Sequence, residues 1–207
     1  MSTNPLQVTV RELERGELST AAELLGRGMR DNPINVRAFG QDAEQRRRAL
    51  TRFFKPVLRG AYRRGSVFGA IFGETLVGVY VAAPPGRCQP NLLEKLRVFP
   101  SVFLGNAFAT SLRVMRWAGE WSRRDAPEPH WHLGPVAVDA HLKGQGVGSA
   151  MMTNFCWRMN GQSAMSYLET DRLENVRFYE MFGFNVLGEA RILGVQNWFM
   201  SRPSWPE

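Results

Sequence analysis

Cysteine, histidine and long apolar runs are all scarce in this sequence, and each shortage argues against a class of protein. The 207 residues include two cysteines, Cys88 and Cys156, which cannot build a disulfide framework and suit a reducing cytoplasm. Three histidines with no ligand cluster at metal spacing predict no metal site. No run of about eighteen apolar residues is present, and the first ten residues do not resemble a signal peptide. We therefore expect a cytoplasmic protein with no membrane association.

The chain is, by contrast, well supplied with apolar residues and with basic ones. Hydrophobic residues make up 44% of it, and Lys and Arg outnumber Asp and Glu by 26 to 19, for a formal net charge of +7. At this length, such a composition predicts one globular domain over residues 1–207. The positive charge favours a nucleic acid, an acidic surface or a polyphosphate-bearing cofactor as partner, without deciding among them.

The most informative stretch, residues 131–152, reads WHLGPVAVDAHLKGQGVGSAMM. After a β-rich run and a polar link, Gly144, Gly146 and Gly148 alternate, and apolar residues return at helical spacing from Val147. This order predicts a strand, a glycine loop and a helix. Glycine lets a ligand approach backbone N–H groups, and a helix N-terminus attracts anions. The loop is therefore a candidate phosphate site, although the same glycines could simply form a tight turn.

Two common phosphate loops match this stretch poorly. A P-loop requires Lys and then Ser or Thr after its last glycine, whereas Gly148 is followed by Ser149 and Ala150. A dinucleotide fingerprint that begins at Gly144 would need glycine or alanine where Ser149 stands. Neither motif explains the loop.

The loop does resemble the acetyl-CoA loop of the GNAT-type N-acetyltransferases, in which Arg or Gln, two residues, Gly, any residue, and Gly or Ala follow in order. The basic position here is Lys, which still attracts a pyrophosphate. The resemblance implies that acetyl-CoA, as a cosubstrate, is bound by this loop and by the splayed end of the fourth strand. The implied residues are Lys143, Gly144, Gln145, Gly146, Val147, Gly148 and Ser149 in the loop, and Val136, Ala137 and Val138 in the strand.

A second match to the same family lies downstream, in LETDRLENVRFYEMFGF at residues 168–184. The spacing predicts a helix over about residues 173–182, with Gly183 at its end and with Asn175 and Tyr179 on one face. The resemblance implies that Asn175 contacts the cofactor arm and that Tyr179 protonates the leaving thiolate. Judged without the resemblance, Tyr179 would be a core aromatic residue.

The general base is left open by the motifs. An amine with a pKa of about 10 must lose a proton before it attacks. His132, near the start of the predicted fourth strand, is the first candidate, because some relatives carry a glutamate near that position. Glu169, at the end of the predicted fifth strand, is the second. The N–H of Val138 is expected to face the thioester carbonyl oxygen.

The resemblance also implies a fold. We expect an α+β protein of αβα layers, with a mixed, mostly antiparallel central sheet of about seven strands flanked by helices. The cofactor-binding half is predicted at about residues 131–202. A helical insertion between strands 3 and 4, at about residues 87–126, is predicted as two pieces separated around Pro100. It would wall an apolar acceptor pocket, form a homodimer contact, or cap the core.

The remaining elements follow from their patterning. A long basic helix over residues 42–64 has Arg46 on its predicted polar face, and Pro56 is expected to kink or split it. A break at residues 31–33 precedes that helix. The other predictions are a strand at 7–11, a helix at 18–29, a hairpin turning at 73–74, and closing strands at 185–193 and 196–202.

Our main hypothesis is an acetyl-CoA-dependent N-acetyltransferase that acetylates a primary amine by direct attack in a ternary complex. Apolar residues in the insertion favour a partly apolar acceptor, which could be a small molecule or a protein. One alternative is a non-catalytic acyl-CoA-binding module. Another is a basic nucleic-acid-associated protein, which we disfavour because aromatic residues do not alternate with the charges of the 42–64 helix.

Overall fold

One seven-stranded sheet runs through the protein, and helices cover both of its faces. The computed structural model describes residues 6–88, 92–103, 108–162 and 164–204. The strands are β1 (Thr9–Glu12), β2 (Ser66–Phe72), β3 (Thr75–Ala83), β4 (His130–Val138), β5 (Met165–Thr170), β6 (Asn185–Ile192) and β7 (Val195–Arg202). The helices are α1 (Leu18–Gly28), α2 (Pro33–Phe39), α3 (Ala43–Arg64), α4 (Leu92–Phe103), α5 (Phe108–Arg124), α6 (Val147–Met159) and α7 (Leu173–Glu180).

The strand order confirms the predicted fold class. The strands lie in the order β1-β2-β3-β4-β5-β7-β6, and every neighbouring pair is antiparallel except β4 and β5, which are parallel. The insertion helices α4 and α5 lie between the third and fourth strands, as predicted. Residues of α1, α2, α3 and α5 form one apolar core, and residues of α6 and α7 form a second. Burial on both faces explains why β3 is an almost continuous apolar run.

Prolines account for most of the differences from the predicted helices. The sequence around Pro33 was expected only to break the chain, yet Pro33 is the first residue of the short helix α2, a position that suits its fixed φ. Pro56 lies within α3 and Pro100 within α4. The predicted separation around Pro100 is therefore wrong. Packing of an apolar face can stabilise a helix that has lost one backbone hydrogen bond.

Arg46 is a second correction, because it is not on a solvated face. Its side chain is buried and donates hydrogen bonds to the backbone carbonyls of Arg30 (2.6 Å) and Gly40 (2.6 Å) and to Asp31 Oδ1 (3.0 Å). A buried guanidinium is stable only when its donors are satisfied in this way. Arg46 thereby fixes the segments at both ends of α2, next to the candidate site.

The two parallel central strands separate partway along their length. Their pairing covers only His130 with Met165, Trp131 with Ser166, and His132 with Tyr167. Beyond this point, Gly134 has a φ of 153° and the Gly134–Pro135 peptide is cis, and the register between β3 and β4 shifts. Both strands continue without pairing to each other, which opens a gap in the middle of the sheet.

Candidate active site

A cavity of about 240 Å³ lies where β4 and β5 separate. Residues 132–136 of β4 and residues 169–171 at the end of β5 form its base, while Asn175 and Tyr179 of α7 line one side. Helices α3 and α5 form the opposite walls. Helix α5 of the insertion therefore lines the cavity. This position is the one required if the insertion forms a wall of the acceptor pocket.

Two backbone N–H groups of β4 point into the gap. The N–H of Asp139 donates to Val77 O of β3 over 2.9 Å. Because successive N–H groups of a strand alternate in direction, the N–H of Ala137 points toward β3, and those of Val136 and Val138 point away from it. Of the three strand residues predicted to bind the cofactor arm, Val136 and Val138 thus present donors to the gap.

The glycine loop leads into α6, and backbone N–H groups at the start of this helix have no partner within it. Gly146 is the N-cap, with a φ of 88° that a residue with a side chain rarely adopts. The first bond into the helix runs from Ala150 N to Gly146 O (2.9 Å). The N–H groups of Val147, Gly148 and Ser149 consequently have no partner within the helix, and they stand at the positive end of its dipole.

Two other loop amides are already engaged. Lys143 N donates to Ala140 O (3.3 Å), and Gln145 N donates to Leu142 O (3.2 Å). These bonds close the short turn at Ala140–Leu142 before the glycines. The N–H groups of Lys143 and Gln145 are therefore not free to bind a phosphate, while the exposed Lys143 side chain contributes a positive charge.

Gly148 lies where the glycine loop meets α7. A Cβ atom at this position would lie 3.4 Å from Phe178 Cζ and 3.9 Å from Val138 Cγ2. Such distances are ordinary van der Waals separations, so the first turn of α6 lies directly beside α7 and β4. The structure brings the two sequence motifs together in this way.

Tyr179 and Asn175 share one face of α7, as predicted. Tyr179 is 7% exposed, and its ring packs near those of Phe178 (5.5 Å between centroids) and Phe184 (5.9 Å). Burial raises the pKa of Tyr179, so its phenol is protonated at neutral pH. Asn175 Nδ2 donates to Thr170 Oγ1 over 3.1 Å.

The two candidate bases form a pair. His132 Nε2 lies 3.0 Å from Glu169 Oε2, and His132 Nδ1 lies 4.0 Å from Asp125 Oδ1. Burial lowers the pKa of His132, but the charge and hydrogen bond of Glu169, together with the charges of Asp125 and Cys88, raise it overall. The sequence offered these residues as alternatives, whereas the structure joins them beside the cavity.

A second histidine–carboxylate pair was missed from the sequence. His130 Nδ1 lies 2.8 Å from Glu128 O and His130 Nε2 lies 3.1 Å from Asp125 Oδ1. Both partners are acceptors, an arrangement that favours a proton on each ring nitrogen and so the imidazolium form of His130. Burial lowers the pKa of His130, but the hydrogen bond to Asp125 and its other acceptors raise it to about 10. A carboxylate shortly before two alternating histidines was the available signal.

Two groups of side chains could geometrically bind a metal ion. Ligand atoms of Cys88, His130 and His132 lie within 4.8 Å of one another, as do those of Asp125, His132 and Glu169. The histidines are paired with carboxylates, and Cys88 Sγ faces His130 O at 3.4 Å. The expected absence of a metal stays a prediction.

No helix in the described ranges is long and apolar enough to cross a membrane.

The split sheet, the free N–H groups at the start of α6 and the buried Tyr179 are the features that the predicted thioester-dependent acyltransferase requires. The model of the acetyltransferase (GNAT) family matches residues 37–184, and the chain belongs to this family. It is therefore an acetyl-CoA-dependent acetyltransferase, as the two sequence motifs predicted.

Solved structures with this fold align over nearly the whole chain. That of a histone acetyltransferase and related acetyltransferase from Corynebacterium glutamicum covers 97% of this chain and 98% of its own, with a TM-score of 0.71 and 22% identity. The ribosomal-protein alanine N-acetyltransferase from Escherichia coli covers 97% and 96%, with a TM-score of 0.58 and 15% identity. A polyamine N-acetyltransferase from Drosophila melanogaster covers 93% and 99%, with a TM-score of 0.59 and 17% identity. At these identities the likeness concerns the fold.

Proposed function

We propose that the protein transfers the acetyl group of acetyl-CoA to a primary amine by direct attack in a ternary complex. The observation that carries this proposal is the His132–Glu169 pair, 3.0 Å apart, beside the same cavity as Tyr179. A proton acceptor and a proton donor thus border one enclosed space, which is what amine acetylation requires.

The start of α6 would bind the pyrophosphate of acetyl-CoA. The N–H groups of Val147, Gly148 and Ser149 are free of intrahelical partners, and Lys143 is exposed nearby in the loop. Gly148 lies in this first turn of α6, beside Phe178 of α7. Backbone donors at a helix N-terminus are a general solution for phosphate binding.

The separated end of β4 would hold the thioester. The N–H of Val136 and the side chain of Asn175 would both form hydrogen bonds to the cofactor arm. The N–H of Val138 would donate to the thioester carbonyl oxygen. Acetyl-CoA supplies an acetyl group that is already activated as a thioester. A fixed backbone donor stabilises the negative charge that develops on that oxygen during attack.

The side chains around the cavity would manage the protons. The His132–Glu169 pair receives a proton from the ammonium form of the acceptor, and the free amine nitrogen then forms a bond to the carbonyl carbon. The carbon–sulfur bond breaks, and the buried Tyr179 hydroxyl donates a proton to the departing thiolate. The base passes the first proton to solvent and takes the second from the nitrogen, and this second proton restores the Tyr179 hydroxyl. The products are an amide, a thiol and one released proton.

Asp125 and His130 would position the base rather than react. Asp125 Oδ1 lies 3.1 Å from His130 Nε2 and 4.0 Å from His132 Nδ1, so one carboxylate acts on the charge of both imidazoles. Because Asp125 directly follows α5, it links the insertion to the base.

Release of free thiol from acetyl-CoA in the presence of primary amines tests the proposal. We expect turnover with at least one amine and expect it to depend on both substrates in a sequential pattern. Tight acetyl-CoA binding without turnover on any amine would contradict the proposal. A parallel-line pattern with an acetylated protein would contradict direct attack.

A further inference from the structure

We propose that the acceptor is a small primary monoamine whose single apolar group is about the size of one aromatic ring, because the cavity has apolar walls and acidic groups at one end only. This inference rests on the proposed function and specifies its substrate. It separates this protein from enzymes for polyamines or peptide N-termini.

The walls opposite the sheet are aromatic and aliphatic. Among the described residues that line the cavity, those from α3 and α5 are Phe53, Phe54, Val57, Val114, Trp117, Ala118 and Trp121. The indole N–H of Trp121 is already bonded to Asn197 Oδ1 over 3.0 Å. Trp117 Nε1 is buried without a hydrogen-bond partner, and apart from this one N–H the walls favour a hydrocarbon group.

The acidic groups lie together at the end of β5. Glu169 and Asp171 both border the cavity there, and Asp171 Oδ2 already accepts from the N–H of Ile34 over 2.7 Å. Glu169, paired with His132, is thus the group best placed for the reacting ammonium. One charged end and one apolar end match a molecule with one amine.

A second cation would fit this cavity badly. In a diamine or a guanidinium-bearing amine, the far charge would be placed among the α3 and α5 side chains and would lose its hydration. Attraction to the aromatic rings recovers only part of that loss. A peptide would likewise bring its own amide groups against walls with few hydrogen-bond partners.

The size of the cavity limits the apolar group. A cavity of roughly 150 Å³ holds benzene, and this one measures about 240 Å³. The same cavity also receives the acetyl thioester, because Val136, Asn175 and Tyr179 line it. The remaining space limits the acceptor to about one ring and a short chain that carries the amine. An acceptor of roughly nine non-hydrogen atoms, such as 2-phenylethylamine, fits this limit.

An amine panel tests the inference through kcat/KM. We expect 2-phenylethylamine to exceed both agmatine and an alanine-ended peptide by at least about tenfold. Faster turnover of agmatine or of the peptide would overturn the inference while leaving the proposed N-acetyltransferase function intact. Failure of every amine would instead contradict the function itself.

A variant of α5 tests whether this cavity sets the preference. Ala118 is exposed and lines the cavity, so Ala118→Phe should narrow the opening with little effect on folding. We expect the ratio of kcat/KM for 2-phenylethylamine over ethylamine to fall about tenfold. Met115→Phe is the matched control, because Met115 is on the same helix, 53% exposed, and does not line the cavity. An unchanged ratio in folded Ala118→Phe protein would overturn the inference.

Discussion

The cofactor-binding half and the acceptor side of the cavity use different parts of the chain for recognition. At the start of α6 and along β4, the backbone supplies the donors, and the local sequence must contain glycines to expose them. On α3 and α5, ordinary apolar side chains form the walls. Backbone recognition leaves a readable motif, whereas an apolar wall looks the same in sequence as any core-facing helix.

This contrast predicts different responses to substitution. Changes at the loop should abolish cofactor binding, changes near the sheet gap should slow chemistry, and changes on α5 should alter only the choice of acceptor. A loop variant that changed acceptor preference alone would break the comparison.

Gly146→Glu should have the largest effect. A carboxylate and a side chain at this left-handed position would repel the pyrophosphate and strain the N-cap. We expect the Kd for acetyl-CoA, measured by calorimetry, to rise at least about 100-fold. Gly194→Glu is the control, because Gly194 has a similar φ of 82° in the turn between β6 and β7. Equal weakening in both variants would show a loss of folding instead.

Glu169→Gln should slow turnover while the cofactor still binds. The amide keeps the shape of the side chain but cannot accept the proton, so we expect kcat to fall about 100-fold. Acetyl-CoA affinity should stay within about threefold, since the pyrophosphate site is unchanged. Glu189→Gln, an exposed position on β6, should have no effect. Full activity of the Glu169→Gln protein would show that Glu169 does not take part in accepting the proton.

Tyr179→Phe should have a smaller effect on kcat, of about tenfold, because a thiolate whose conjugate acid has a pKa of about 8.5 is already a fair leaving group. Single-turnover measurement isolates the chemical step. Tyr80→Phe serves as the control, since Tyr80 is also buried but its hydroxyl donates to Asn154. An unchanged single-turnover rate in Tyr179→Phe would rule out the acid role.

The pH dependence of kcat/KM should reveal the raised pKa of His132. The base must be deprotonated, so activity should rise with pH and have a midpoint above about 6.5, the ordinary value. Asp125→Asn removes one of the charges that raise this pKa and should shift the midpoint to lower pH. A midpoint that does not move would show that Asp125 does not affect the pKa of the base.

The last predicted effect concerns stability and not turnover. The folded-state pKa of His130 is about 10, above an ordinary value of about 6.5. The contribution of His130 to the free energy of unfolding is therefore fully present below the ordinary pKa. It is lost as the pH rises toward the pKa in the folded state. Urea unfolding should show stability falling by up to about 1.4 kcal/mol per pH unit from this group. His130→Gln should reduce that slope, and an unaltered slope would contradict the imidazolium assignment.

The fold class and the family could be predicted because both depend on short sequence patterns that determine local backbone structure. Alternating glycines, the strand before them and the Asn175–Tyr179 spacing are all local. Helix α2 and the uninterrupted α4 were missed, because a proline can start a helix or lie within one when packing compensates. The burial of Arg46 depends on carbonyls supplied by turns outside its own helix.

The pairing of His132 with Glu169 as the proposed general base could be predicted only in part. His132 and Glu169 were each identifiable as candidates, but their contact depends on the parallel register of β4 and β5, which no local pattern specifies. Asp125 lies at the end of the insertion, where the sequence resembles an ordinary link. The acceptor walls were least predictable, because α3 and α5 are brought together only by the fold.

A crystal structure with a non-reactive acetyl-CoA analogue tests the central claim most directly. We expect the pyrophosphate on the N–H groups of residues 147–149, and the thioester carbonyl oxygen within hydrogen-bond distance of Val138 N, with its sulfur beside the Tyr179 hydroxyl. A pyrophosphate bound elsewhere, or a thioester outside the gap between β4 and β5, would contradict this claim.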